Sequence, residues 1–117
     1  MQQNWCGSSE SELAAYRQTV CQALRMLEGK WKIVIIFRLM EAGQPVRFSE
    51  LARQIDGISQ KMLIQQLKSL EQDGLLQRTV YPQVPPRVEY ALSEWGWDLS
   101  DAVKALIVWE ERRPPSV

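Results

Sequence analysis

The chain has 117 residues, 45% hydrophobic and 24% charged, and its 14 basic and 14 acidic side chains cancel; this suits one globular domain, 1–117, too short to divide in two. It contains no histidine, two cysteines and six glycines that stand singly, which excludes Ser-His-Asp and Cys-His catalysis, a Gly-rich phosphate loop, the common zinc motifs and a secreted disulfide framework. No apolar run approaches the ~20 residues of a membrane span, and Met1 to Trp5 lack the basic and apolar regions of a secretory signal, so the expectation is a cytoplasmic, non-enzymatic protein with no metal and no cofactor.

Residues 1–8 read as a flexible tail. Ser9 and Glu12 have the spacing of a capping box, and Leu13, Tyr16, Val20, Ala23, Leu24 and Leu27 recur at helical spacing until Gly29. Trp31 to Met40 is apolar nearly all round. Its β-branched residues make a strand a fair rival, but its length and the stop at Gly43 favour a helix buried on several sides, with Trp31 in the core. Pro45 to Phe48 reads as extended, and Ser49 is expected to cap a short helix through Ile55. After the turn Asp56-Gly57, Ser59 caps a second helix whose Leu63, Leu67 and Leu70 form an i, i+4, i+7 stripe ending at Asp73-Gly74. Two short helices around a tight turn are the helix-turn-helix pattern.

Leu75–Tyr81 and Arg87–Leu92 alternate like strands, with Val88, Tyr90 and Leu92 on one face, and the proline-rich stretch 82–86 joins them stiffly. A β-hairpin straight after the second helix is a wing. Ser93 then caps a last helix that carries Trp95, Leu99, Ala102, Val103, Leu106 and Trp109 on one stripe, with Arg112-Arg113 at its end and Pro114-Pro115 beyond. The fold class is therefore mainly α with a small β-hairpin wing: a winged helix-turn-helix with its DNA-binding core and wing at 44–92.

Charge is unevenly spread. Between Ser59 and Leu70 there are two lysines and no acid. At 100° per residue, Gln60, Lys61, Ile64, Gln65 and Lys68 fall opposite the leucine stripe. Amide forks suit adenine, ammonium groups suit guanine or phosphate, and an aliphatic surface suits a thymine methyl. A solvated helix face is the competing reading, and the wing behind the helix favours double-stranded DNA. Arg78, Gln83 and Arg87 lie on the wing, where an arginine can enter a minor groove, grip phosphate or pair with a nearby acid; Arg47 and Ser49 are weaker phosphate candidates. The segments 9–28 and 93–113 carry more apolar residues than one small core needs. Leu13, Tyr16, Val20, Trp97, Leu99, Leu106 and Trp109 are expected at an interface with a second copy, and Ile107 and Val108 lie off the main stripe. Cys6 and Cys21 are either inert thiols or a redox device, Arg17 and Arg25 flanking Cys21 one turn to each side.

Five ordered blocks carry a further signal: Gly29-Lys30-Trp31, Arg47 to Leu51, Gly57 to Leu63, Leu70 to Leu75, and Arg78 to Tyr90. Together they resemble the HxlR-type regulators, winged-helix proteins similar to the MarR group, over most of the chain from about Ala23 to Gly96. The resemblance implies a sequence-specific transcription regulator that binds operator DNA as a homodimer built from terminal helices, with some members responding to redox or electrophile signals. Gln18 stands near the place where such proteins often carry a cysteine, Ile64 where a small hydroxyl residue is usual, and Trp95 and Trp97 are unusual after the wing. A winged-helix module that binds protein instead of DNA is the rival function.

Overall fold

The computed structural model describes residues 12–116; the tail 1–8, the Ser9 cap and Cys6 lie outside the described residues. In chain order the elements are α1 (Glu12–Leu27), α2 (Lys32–Ala42), β1 (Val46–Arg47), α3 (Phe48–Gln54), α4 (Gln60–Gln72), β2 (Leu76–Tyr81), β3 (Arg87–Leu92) and α5 (Glu94–Glu111). The five helices and the small sheet form a winged helix-turn-helix.

The ambiguous apolar run becomes helix α2, stopped by a left-handed Gly43 whose N–H donates to the Leu39 carbonyl. It is not wrapped on several sides as expected. Ile35, Ile36 and Leu39 are buried, whereas Val34 and Phe37 on another side remain exposed. Trp31 is half-buried against the core, with the Lys30 ammonium 4.7 Å from its ring centroid. Leu51 and Ile55 of the α3 segment, the α4 stripe Leu63, Leu67 and Leu70, and Tyr90 and Leu92 of β3 close the core around α2. Each such fully buried aliphatic side chain contributes about 1.5–3 kcal/mol relative to exposure.

Two local features differ from expectation. The helix after the extended piece begins at Phe48 with Arg47 in the N-cap position and no side-chain cap, so Ser49 sits in the first turn and does not cap. Val46-Arg47 is itself a strand, antiparallel to β3 with Val46 opposite Tyr90, which makes the sheet three-stranded in the order β1-β3-β2. Two residues are too few to show a period of two, so periodicity could not reveal it.

The junction between α4, the wing and α5 is tightly built. Gly74 (φ +84) closes α4 in a conformation that residues with a Cβ rarely adopt. The Ser93 hydroxyl accepts from the Gly96 N–H at 2.9 Å and donates to the Gly74 carbonyl at 2.6 Å. The Ser93 N–H donates to the Leu75 carbonyl at 2.9 Å. Gly96, the buried residue of α5, lies so close that a Cβ there would stand 2.3 Å from the Leu75 oxygen. The start of α5 is thus pinned to the end of α4.

Candidate nucleic-acid interface

Helix α4 presents an exposed polar face because its other side is committed to the core. Ser59 caps it, the hydroxyl accepting from the Met62 N–H at 3.0 Å. With Leu63, Leu67 and Leu70 buried, Gln60, Lys61, Ile64, Gln65 and Lys68 are all exposed, Ile64 at 50%. Neither Lys61 nor Lys68 forms an ion pair among the described residues.

Beside this face runs an open groove of about 700 Å³. Ile64, Lys68 and Glu71 line it from α4, and Gln83, Pro85 and Pro86 line it from the wing turn. Arg47, Phe48 and Ser49, where β1 passes into α3, and Arg78, Val88 and Tyr90 of the sheet complete the lining. Arg47, Lys68 and Arg78 set three cations against the carboxylate of Glu71, while the charge of Arg87, also in the lining, is partnered by Glu89. The local field is positive although the chain is neutral, and it suits a polyanion. The groove joins part of the expected α4 face to the expected wing residues Arg78 and Gln83; Gln60, Lys61 and Gln65 lie outside it on the same exposed helix. Arg47 and Ser49 line it too, although their place in the chain offers little reason to choose them. Pro85, Pro86 and Glu71 join the lining without having been expected there, and the turn prolines could have been found from their place between two strands.

Arg87 takes the paired alternative. Its guanidinium lies 4.4 Å from the ring centroid of Tyr81, directly across the hairpin, and its Nε is 3.4 Å from a Glu89 carboxylate oxygen on the same strand face. No hydrogen bond forms at that nitrogen, so the attachment is a stacked ring and an ion pair. Arg78, opposite Tyr90 in the ladder, is exposed.

The HxlR-like helix-turn-helix family model matches residues 26–116. The chain belongs to that family. Among its relatives is the HTH-type transcriptional regulator BH0655 of Halalkalibacterium halodurans, 51% identical over 74% of this chain and 75% of that protein. A solved MarR-family regulator of Enterococcus faecalis superposes with a TM-score of 0.77 at 36% identity, covering 88% of this chain and 92% of the other. The redox regulator HypR, in its oxidized form, superposes with a TM-score of 0.71 at 38% identity over 84% and 99% of the two chains. This HxlR-like protein is a DNA-binding transcriptional regulator with the winged-helix fold, and DNA is its partner. Among the described residues, no helix is long and apolar enough to cross a membrane.

The residues expected at a subunit interface do not all sit alike. Leu13, Tyr16 and Val20 of α1 and Trp97, Leu106 and Trp109 of α5 are exposed, Leu106 at 55% and Trp109 at 70%. Leu99 instead packs against the core of its own chain and lines a small apolar cleft between α1 and α5 with Met26 and Trp95. Cys21 is buried at 3% exposure, beside a cleft lined by Gln18, Gln22 and Arg25.

Proposed function

We propose that this regulator binds operator DNA as a homodimer in the cytoplasm, with α4 of each subunit in successive major grooves. The observation that carries the reading is the exposed set Gln60, Lys61, Ile64, Gln65 and Lys68 on a helix whose opposite side is buried. Gln60, Ile64 and Gln65 read base edges. Ser59, Lys61 and Lys68 grip phosphate or guanine, and the phosphodiester strand dividing the major from the minor groove crosses the cationic groove between α4 and the wing, near Arg78 and Gln83.

Dimerisation through α1 and α5 follows from surface chemistry. Both helices expose large apolar side chains in number, and no residue of α5 beyond Gly96 is buried. A radius of gyration of 17.2 Å, against about 13 Å for a compact chain of this length, leaves helical surface for a partner. Cys6 and Cys21 form the candidate redox device, a reading supported by the likeness to HypR. Cys21 is disulfide-bonded in this structure, so the device is a reversible exchange. Two thiols passing two protons and two electrons to an oxidant form one S–S bond, and a two-electron reductant returns them and breaks it. The change shifts α1, and with it the spacing of the two reading helices.

The test is selection of bound duplexes from a random pool. Two chains per duplex, and half-sites with centres ~10 base pairs apart, are the expected result; no enrichment, or one chain per site, overturns the reading. Repeating it with diamide, which is reduced to its hydrazine as thiols oxidise, should change wild-type affinity but not that of Cys6→Ser or Cys21→Ser; an unchanged wild type removes the redox arm.

A further inference from the structure

The outermost residue of the wing is apolar. Val84 is 99% exposed between Gln83 and Pro85, in a turn that the Gln83 N–H folds by donating to the Tyr81 carbonyl at 2.8 Å. The cation closest in sequence, Arg87, is turned back into the hairpin, stacked on Tyr81 and paired with Glu89, its side chain only 32% exposed. An isopropyl group projects where a guanidinium was to be expected. The neighbouring prolines Pro85 and Pro86 share one groove with Ile64 and Lys68 of α4, so the turn borders the reading face.

We propose that Val84 is the wing's minor-groove contact, an uncharged probe of the groove flanking each half-site, and that Arg87 is a positioning residue which holds the turn and does not itself bind DNA. The inference rests on the DNA reading above and adds how the wing discriminates sequence. The minor groove is ~6 Å wide and walled by sugar C–H groups, and the one exocyclic amine on its floor belongs to guanine. A valine can pack against those walls, as apolar side chains of minor-groove proteins do. It cannot hydrogen-bond the amine, which would lose its water without a replacement. Val84 therefore favours A·T pairs at the flanks through contact and shape, with no salt-dependent contribution of its own.

The test uses the full-length protein and a duplex that wild type has selected from a random pool. Its flanking adenines are replaced by 2,6-diaminopurine, which alters the minor groove by adding the amine alone. Wild-type affinity should fall roughly fivefold or more. Val84→Gly should lose a comparable factor on the unmodified duplex, become indifferent to diaminopurine, and keep the wild-type dependence on salt. Arg87→Ala and Arg87→Lys should both weaken binding without changing the salt slope, because lysine keeps the charge but not the planar stack on Tyr81. A Val84→Gly protein with wild-type affinity and the full diaminopurine penalty overturns the inference while leaving α4 as reader. So does a salt slope that drops by ~1 in Arg87→Ala and recovers in Arg87→Lys, the signature of a phosphate contact. Absence of selective binding by wild type overturns both this inference and the reading on which it rests.

Discussion

Replacing Gly96 by alanine places a Cβ 2.3 Å from the Leu75 carbonyl oxygen, whereas carbon and a carbonyl oxygen normally settle ~3.3–3.6 Å apart. About 1 Å must be found by moving backbone, since the obstructing atom is not the end of a flexible side chain. That same oxygen accepts from the Ser93 N–H at 2.9 Å, so the shift strains the junction that seats α5. Overpacking of this kind costs about 1–3 kcal/mol, and a weakened hydrogen bond adds ~0.5–1.5 kcal/mol. Against this, alanine regains up to ~1 kcal/mol of helix preference over glycine. A net loss of about 1–3 kcal/mol corresponds to a fall in Tm of roughly 4–12 °C for a domain of this size. Circular dichroism melts of wild type and Gly96→Ala should show it, at one fixed protein concentration because any self-association would shift the Tm with concentration. A Tm equal to or above that of wild type would refute the close approach of α5 to the end of α4.

Three further outcomes follow from other parts of the molecule. Leu67 is 1% exposed in the centre of the α4 stripe, so Leu67→Ala should lose about 2–5 kcal/mol in urea unfolding; less than 1 kcal/mol would mean that this side of α4 is not core. Lys68→Ala removes one ammonium group from the groove wall and should reduce the log–log salt slope of DNA binding by ~1; a slope identical to that of wild type would mean that Lys68 does not touch phosphate. Leu106→Glu introduces a carboxylate where α5 is apolar and exposed; by sedimentation it should turn a micromolar dimer into monomer with loss of DNA affinity, and a monomeric wild type would contradict the dimer itself.

The parts of this fold that were legible in the sequence are those whose signal is local and repeated. The α4 stripe, the Ser59 and Ser93 caps and the alternation in β3 each declare themselves over several residues, and the structure places Leu63, Leu67, Leu70, Tyr90 and Leu92 in the core. What escaped depends on partners distant in sequence. Val46-Arg47 becomes a strand because β3 offers it an edge, and Phe48 starts a helix where that strand ends, which leaves Ser49 no capping role. Leu99 lies on the stripe of α5 but is used by its own core, a division that helical period alone cannot make. The exposed face of α4 was visible because Gln60, Lys61, Ile64, Gln65 and Lys68 are what the leucines leave over. The groove beside it was not, since it exists only when the wing turn folds next to α4. Arg87 illustrates the same limit: its charge could be read from the chain, but its engagement with Tyr81 requires the hairpin register that sets the two opposite each other.

Base reading by the uncharged residues of α4 is tested most directly by the affinity of Gln60→Ala and Gln65→Ala for the duplex that wild type selects, measured alongside an unrelated duplex of equal length. Both positions are exposed, so the substitutions should leave the fold intact. At least one variant should lose ~1–3 kcal/mol on the selected duplex, concentrated at one base position in each half-site, while its affinity for the unrelated duplex stays that of wild type. If both variants keep the full ratio of selected to unrelated binding and select the same motif, α4 is not the reading helix.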